Sequence, residues 1–513
     1  MNSRVGIIDI GSNSIRLVIY DVTSGGAYRV IQECKESARL SAKISPDGTM
    51  SREAVLTVVP VLQQFQEVCR LYGVSSVRTA ATAAIRNAGN SGQIVDWLQE
   101  ETGLTIEVLS GDQEGYAGFL GVINTMNLSD GAIIDIGGGS TEITLFRGRD
   151  RLRTYSFPFG AVNMNVRFGH SEGVPWTSEQ IEALTRHVIQ SLDEHDWIRA
   201  NPGLPLVGLG GTIRTLGKIN QKRSHYPLPV THHYEMSRED VEHFFTTLPA
   251  MSYTQRKKTP GLSKDRVDII IPGLIILRTI FQYMQATRYL ISGSGLRDGL
   301  FYEQVNPETP VVRDPLAAGI DNILAFGPPV PPEHLQRVHG HARLLYNTLC
   351  EHVQPAERTL DERLLYTASR LYKMGATLNY YQYTQHSMYW ILRSGLSGLS
   401  HRETVLAAAV ADYHPKNRTP RLIHEYADIL DDQDDVRIQR LGSLLKLAVA
   451  LDRSETGTVE ELAIQQKSGS LRLRLFSRAE PLIELREMEA AAKDMHKAWD
   501  ITLSWEALPL STN

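Results

Sequence analysis

Two aspartates stand where this sequence passes from an apolar strand into a glycine turn. Asp9 lies in "IIDIGSNSIRL" and Asp135 in "IIDIGGGSTEITL", so that the pentapeptide IIDIG occurs at 7–11 and again at 133–137. A carboxylate at the end of a buried apolar run is costly unless a cation or several donors meet it. Hard cations such as Mg²⁺ prefer such oxygen ligands. The glycines that follow let backbone N–H groups come close to an oxyanion. One copy alone would be an ordinary hairpin turn capped by its own aspartate. Two near-identical copies, with a third turn Gly210-Gly211-Thr212 in "GLGGTIRTL", predict two similar halves. Facing each other across a cleft, they would clamp a phosphate and its metal from both sides.

The elements that must carry these turns are legible in the surrounding pattern. Residues 5–10 and 15–20 are short apolar runs joined by Gly11-Ser12-Asn13-Ser14, a hairpin pattern. Residues 52–73 have helical spacing and end on Gly73. "LTIEVLSGDQEGYAGFLGVINTM" reads as a strand, a turn at Ser110-Gly111-Asp112, and a helix carrying Glu114. Further strands run into glycine turns and helices at 205–220 and 288–305. Strands alternate with helices through residue 305, which predicts α/β architecture. The proline-rich "NPETPVVRDP" at 306–315 reads as a boundary, and "GPPVPPEH" at 327–334 as a second break. From about 315 to 455 the pattern is almost purely helical, and after 456 strands return. The expected domains are 1–125, 126–305, a helical 306–455 and a small α+β tail, 456–513.

Composition narrows the function. Of 513 residues, 42% are hydrophobic and 22% charged, as in an ordinary soluble globular protein. The net charge of −5 gives no global basic field for duplex nucleic acid, so a polyanion would need a local basic groove. The three cysteines, Cys34, Cys69 and Cys350, form no C-x-x-C pair. That argues against a cysteine-rich zinc site and fits a reducing compartment. Residues 1–11 run straight into a strand without a signal-peptide core, and no uncharged apolar run is long enough to span a bilayer. The expectation is a cytoplasmic protein with no membrane partner.

The motifs together resemble a known family. The paired hairpins are similar to the phosphate-binding domains of the superfamily of actin, Hsp70 chaperones and sugar kinases, with a duplicated ribonuclease H-like fold. Within it, "DIGSNSIRL", "DIGGGSTEI", "GLGGTIRTL", "PGLSKDRVDIIIPGLIIL" and "SGSGLRDGLFYE" resemble, in order, the exopolyphosphatase / guanosine pentaphosphate phosphohydrolase (Ppx/GppA) family. Each alone is weak; all five in sequence are specific. The resemblance is strong over 5–305 and looser beyond.

It implies Mg²⁺-dependent hydrolysis of a terminal phosphoanhydride of inorganic polyphosphate or of guanosine pentaphosphate (pppGpp), without a covalent intermediate. A carboxylate activates water, while metal and amides stabilise charge on the transferred group. The glutamate in "LSGDQEG" places the base on Glu114, with Asp112 a weaker substitute. Glu142 matches the acid of "GGGSTE", and Arg86 in "TAAIRNAGN" matches an arginine near the cleft, where a guanidinium can grip phosphate bidentately. Asp135 and Asp9 would hold Mg²⁺. Phosphate would meet Ser12, Asn13 and Ser14, then Gly137, Gly138, Gly139, Ser140 and Thr141, with Gly210, Gly211 and Thr212 as a third wall. Arg297 in "GLRDG" joins them or pairs with Asp298. Arg147, Arg149, Arg151 and Arg153 read as decoration on a solvated hairpin.

The helical stretch resembles the corresponding domain of longer family members, related to HD-type phosphohydrolases. His341, His386, His414 and Asp452 are candidate ligands there. The adjacent His-Asp pair is missing, and Tyr372-Lys373 stand in its place. A degenerate, scaffolding domain is expected, contacting a partner subunit in a homodimer, with Lys373, His386 and Lys416 along a basic channel for long polyphosphate. The leading reading is an exopolyphosphatase. Alternatives are a pppGpp 5′-phosphohydrolase and a non-catalytic binder of ppGpp or polyphosphate; retention of Glu114 and Glu142 argues against the latter. A sugar kinase is disfavoured because "SGSGLRDG" lacks the usual adenosine-site pattern.

Overall fold

A computed structural model describes residues 2–45, 47–169, 174–327, 330–350, 353–467 and 469–510. The chain divides into two compact units, Met1–Ala318 and Gly319–Asn513. The proline break expected at 327–334 lies partly outside the described residues, at 328–329.

The first unit contains two mixed sheets. In the first, β3 (Tyr28–Ser37), β2 (Ser14–Val22), β1 (Ser3–Ile10), β4 (Ser76–Ala81) and β5 (Ile106–Val108) lie side by side in that order. In the second the order is β10 (Glu235–Met236), β11 (Tyr289–Ile291), β9 (Leu206–Leu209), β6 (Gly131–Ile136), β7 (Thr141–Arg147) and β8 (Asp150–Phe157). The duplication is visible in the pairing. β1 is antiparallel to β2 and parallel to β4, as β6 is to β7 and β9. Asp9 sits opposite Arg16, and Asp135 opposite Glu142. At this position the two copies differ in charge, a cation in the first and a carboxyl in the second.

The central strands are apolar on both faces because both faces are covered: Ile7, Ile8 and Ile10 are fully buried. Beneath the second sheet the helix Ile270–Tyr283, "IIPGLIILRTIFQY", is buried nearly all round, as its sequence dictates. The helix Leu296–Val305 follows β11 of the second sheet yet packs on the first: Leu300, Phe301 and Tyr302 join Val5, Ile7 and Tyr20 in one cluster. Phe301 stacks on Tyr20 with ring centroids 4.0 Å apart.

That return path requires a close helix crossing. A Cβ on Gly299 would lie 1.8 Å from the Ala117 carbonyl, and one on Gly121 would lie 2.4 Å from that of Gly295. Both obstacles are backbone and cannot rotate away. Gly299→Ala is expected to cost about 3 kcal/mol of stability through overpacking, read as a lower urea midpoint at unchanged slope.

The second unit is helical from 319 to 450 and ends in a small sheet of β12 (Val459–Lys467), β13 (Ser470–Ser477) and β14 (Thr502–Pro509). The helix Leu482–Trp499 connects the parallel pair β13 and β14. Where an HD-type centre would bind metal at Asp452, the protein supplies its own partners for that carboxylate. Asp452 receives Arg337 Nε and His334 Nδ1, each at 2.8 Å, and the Gly457 amide at 2.9 Å. Tyr372 is hydrogen-bonded to the other ring nitrogen of His334 at 2.6 Å. Lys373 is buried and pairs with Glu455, so it does not line an open channel as its sequence position suggested. His341 is buried, whereas His414 and Lys416 are exposed and His386 is half-buried, on separate stretches. No described helix is long and apolar enough to cross a membrane.

Candidate active site

The two hairpin loops meet. A Cβ on Gly138 would lie 2.9 Å from Ser12 Cβ, and one on Gly139 3.3 Å from Ser12 Oγ. Their carbonyls are held in structural bonds. Asn13 C=O accepts from Ala38 and Arg39, Ser12 C=O from Ser41, Gly137 C=O from Ala161, and Gly138 C=O from Val162 and Asn163. Because C=O and N–H point in opposite directions across a trans peptide, the following amides, Asn13 and Gly138 among them, turn the other way. Both residues line a cavity of about 150 Å³. Successive N–H groups turned into one concavity are an arrangement suited to an anion.

Asp9 and Asp135 reach the same cavity from the ends of β1 and β6. The Asp9 Oδ1 atom is buried without a hydrogen-bond partner. Burial pushes the Asp9 carboxyl above its usual range, against the pull of Arg297 and Arg16. Burial likewise raises Asp135 to about 6, with Arg214 opposing and Asp9 adding repulsion. Gly210, at φ +77°, has no room for a side chain, since a Cβ would lie 2.6 Å from Asp135 Oδ1. These residues fit Mg²⁺, which is held by one or two carboxylates and keeps water and substrate oxygens as its other ligands. Among the described residues no three His, Cys, Asp or Glu converge as a closed cage.

Glu114 comes from the first turn of the helix Gly111–Ile123. Its neighbour Gln113 is used as a cap: its side chain accepts from the Ser110 amide, while Ser110 Oγ accepts from Gln113 N–H. Glu114 is left to face the cavity. Arg86 donates to Glu114 at 2.5 Å and to the Leu109 carbonyl at 3.0 Å. Burial nonetheless raises Glu114 to about 7, over the opposing Arg86 charge, with Asp135 and Asp9 raising it further. Glu142 lies behind it, 3.7 Å from Arg86 and 2.6 Å from Ser156 Oγ. Burial, then Glu114 and Asp135, push its carboxyl well up.

Four arginines complete the walls: Arg16, Arg214, Arg266 and Arg297. Arg266 lies flat on Gly211, where a Cβ would fall 1.7 Å from its Nη2. Its segment is tied to β3 by Lys35–Asp265 at 2.6 Å and to the turn after β3 by Arg39–Asp268 at 3.2 Å. Burial, followed by Arg16, Arg297 and Arg266, lowers Arg214 to about 10. An incoming polyanion would relieve this crowding of cations.

Of the residues singled out from sequence, Ser12, Asn13, Ser14, Gly137, Gly138, Ser140, Gly210, Gly211 and Arg297 line the cavity with the three acids named above. Others stand elsewhere. Thr141 is buried and donates to the Phe159 carbonyl at 2.7 Å. Thr212 is buried against Gly273, and Gly139 packs on Ser12 and Ser41. The Arg86 guanidinium is committed to Glu114 and Leu109, so it orients a carboxylate rather than gripping phosphate. Arg297 pairs with Glu33 at 2.7 Å, not with Asp298, which caps Gly295. Asp112 points away to Arg151, 2.7 Å distant. Arg149 is no surface decoration: it donates to the carbonyls of Ile123 at 2.7 Å and Val312 at 2.9 Å.

Three wall arginines escaped the sequence reading. Arg16 was signalled by its place opposite Asp9, and Arg214 by its helical offset from Gly210, whose carbonyl it holds at 2.8 Å. Arg266 stands in a loop turn with no local signal.

The sequence pattern of the Ppx/GppA phosphatase family matches residues 18–308, more than half of the chain. The chain belongs to this family. The pattern of Ppx/GppA phosphatase domain III matches residues 329–494, so the helical region belongs to it too. As a Ppx/GppA phosphatase, the protein is a hydrolase acting on phosphoric anhydrides. It is 26% identical over 482 residues to a guanosine-5′-triphosphate,3′-diphosphate pyrophosphatase of Aeromonas hydrophila, covering 92% of each chain. The crystal structure of the Aquifex aeolicus family member, 26% identical, superposes with a TM-score of 0.52 over 60% of this chain and 99% of that one. An exopolyphosphatase from Cytophaga hutchinsonii, 22% identical, shares the fold at a TM-score of 0.55 over 60% of this chain and all of that one.

Proposed function

We propose that this Ppx/GppA phosphatase is an exopolyphosphatase that releases terminal orthophosphate from inorganic polyphosphate. The observation that carries the reading is the cavity itself, with four arginines, loop amides and a carboxylate raised to about 7 converging on one small volume. No aromatic ring lines it among the described residues, so it is built to read phosphate and offers a base nothing to stack on. The terminal phosphoryl group lies against the amides of Asn13 and Gly138. Arg16, Arg214, Arg266 and Arg297 hold its oxygens and those of the next phosphate. Asp9 and Asp135 would hold Mg²⁺, which would supply charge neutralisation at the phosphoryl oxygens. Glu114 takes a proton from water as the water oxygen bonds to the terminal phosphorus. The bond from that phosphorus to the bridging oxygen breaks, and its electron pair stays on the shortened chain as an oxyanion. Glu114 then releases its proton to solvent.

A second reading rests on the Aeromonas hydrophila relative, whose name records hydrolysis of a guanosine polyphosphate and whose sequence matches nearly end to end. A pppGpp 5′-triphosphate end presents the same terminal group, with its guanine outside the cavity. Orthophosphate release with Mg²⁺, from long-chain polyphosphate and pppGpp side by side, separates the two. A higher kcat/KM on polyphosphate is expected. A higher value on pppGpp assigns the protein to the second reading, and binding without release from either would leave a regulator.

A further inference from the structure

The second sheet carries a polar row that runs away from the cavity. Asp135 on β6 pairs in register with Glu142 on β7, and Glu142 with Ser156 on β8. Ser156 Oγ donates to Glu142 Oε1 at 2.6 Å and accepts from Arg86 Nη2 at 3.4 Å. Its Cβ fills the space left by a side chain absent from Gly111, where a Cβ would fall 2.3 Å away. Two residues back along the strand, Thr154 occupies the corresponding space at Gly115, where a Cβ would fall 2.3 Å from Thr154 Cγ2. Side chains two apart on a strand share a face, so β8 presents two hydroxyl residues as the seat of the helix that carries Glu114 between those glycines.

We propose that Ser156 is a positioning residue for phosphoanhydride hydrolysis, its hydroxyl binding Glu142 to Arg86 and so fixing how Arg86 is shared with Glu114. This rests on the reading of Glu114 as the base. Arg86 has two carboxylates within reach, one donor bond to Glu114 and a longer approach to Glu142. The Ser156 hydroxyl occupies part of the second site. Without it, Glu142 loses a donor and Arg86 keeps only its Nη1 bonds to Glu114 and Leu109, so that its Nη2 can swing toward Glu142. The guanidinium then no longer holds Glu114 at the angle that faces the attacking water. Ser156 does not line the cavity, so substrate affinity is expected to be untouched.

Ser156→Ala removes the hydroxyl and keeps the Cβ that Gly111 packs on. With Mg²⁺ and the better of the two substrates, kcat should fall about tenfold, as for one hydrogen bond to a charged group, at unchanged KM. In a Glu142→Gln background the same change should cost less than about twofold, because coupled partners do not add. A Ser156→Ala enzyme with wild-type kcat, one whose KM rises as its kcat falls, or one whose loss multiplies fully with Glu142→Gln overturns the proposal. Glu114→Gln serves as the separate control. If it stays active, the assignment of the base is wrong. If it is inactive while Ser156→Ala is fully active, only the role of Ser156 is lost.

Discussion

Glu114→Gln is expected to lower kcat for orthophosphate release by about 10³, within the range that a positioned general base contributes, while making the protein more stable at pH 8. The amide retains the shape and one acceptor for Arg86, and it removes the atom that takes the proton from water. The gain in stability follows from burial. In the folded protein Glu114 titrates near 7, against an ordinary value of 4.5. A carboxyl whose pKa is raised by folding holds its proton more tightly in the native state. Stability therefore falls as pH rises through the interval from 4.5 to about 7, and the full cost is present above it. That cost is on the order of 3 kcal/mol. Glutamine escapes it. Thermal melts from pH 5 to pH 8 should show the two proteins converging at the acid end and the variant ahead at the alkaline end. The wild-type activity has the opposite slope. The base must be ionised, so kcat/KM should rise with pH up to about 7 and then level. An activity already flat below pH 6 would remove Glu114 from the role.

Asp135→Asn is expected to cost about as much, on the order of 10³ in kcat/KM, because a metal at developing phosphoryl charge is worth several kcal/mol. A second readout is independent of turnover. In the wild type Mg²⁺ should raise Tm, since a ligand that binds only the native state stabilises it. It should also relieve the repulsion from Asp9, which adds to the burial that lifts the Asp135 carboxyl to about 6. The variant should show little or no Mg²⁺-dependent shift, and without metal it should melt higher than the wild type at pH 8. Equal Mg²⁺ shifts in both proteins would place the ion elsewhere.

The duplicated IIDIG turn was enough to foresee paired α/β halves, because strand alternation and glycine spacing are local properties that fold the same way wherever they occur. The same locality placed Glu114 at the start of a helix after the Ser110-Gly111-Asp112 turn, and the structure adds that Ser110 and Gln113 cap that helix, leaving Glu114 to the cavity. It also failed in a consistent way. Arg86 and Arg297 were recognised as important arginines, but which carboxylate each would meet depends on elements distant in sequence. Arg297 finds Glu33 on the edge strand of the first sheet, and Arg86 finds Glu114 after an intervening helix and strand. Thr141 and Thr212 shared the glycine-turn motif with residues of the cavity wall, yet their side chains face the core. Thr141 begins a strand, where successive side chains alternate in direction, and Thr212 lies in the first turn of a helix, where each residue is turned about 100° from the last, so neighbours in one motif face different ways.

What the sequence by itself determined is the family, the two-fold repeat, the glycine loops and the acids Asp9, Asp135 and Glu114. Each is written in residues adjacent along the chain. What only the tertiary structure decided is the set of partners. It brought in Arg16, Arg214 and Arg266 as cavity walls, joined Ser156 to Glu142, and closed Lys373 onto Glu455. Burial and pairing are properties of residues brought together from distant parts of the chain. They set the charge of a site, and no stretch of sequence carries them.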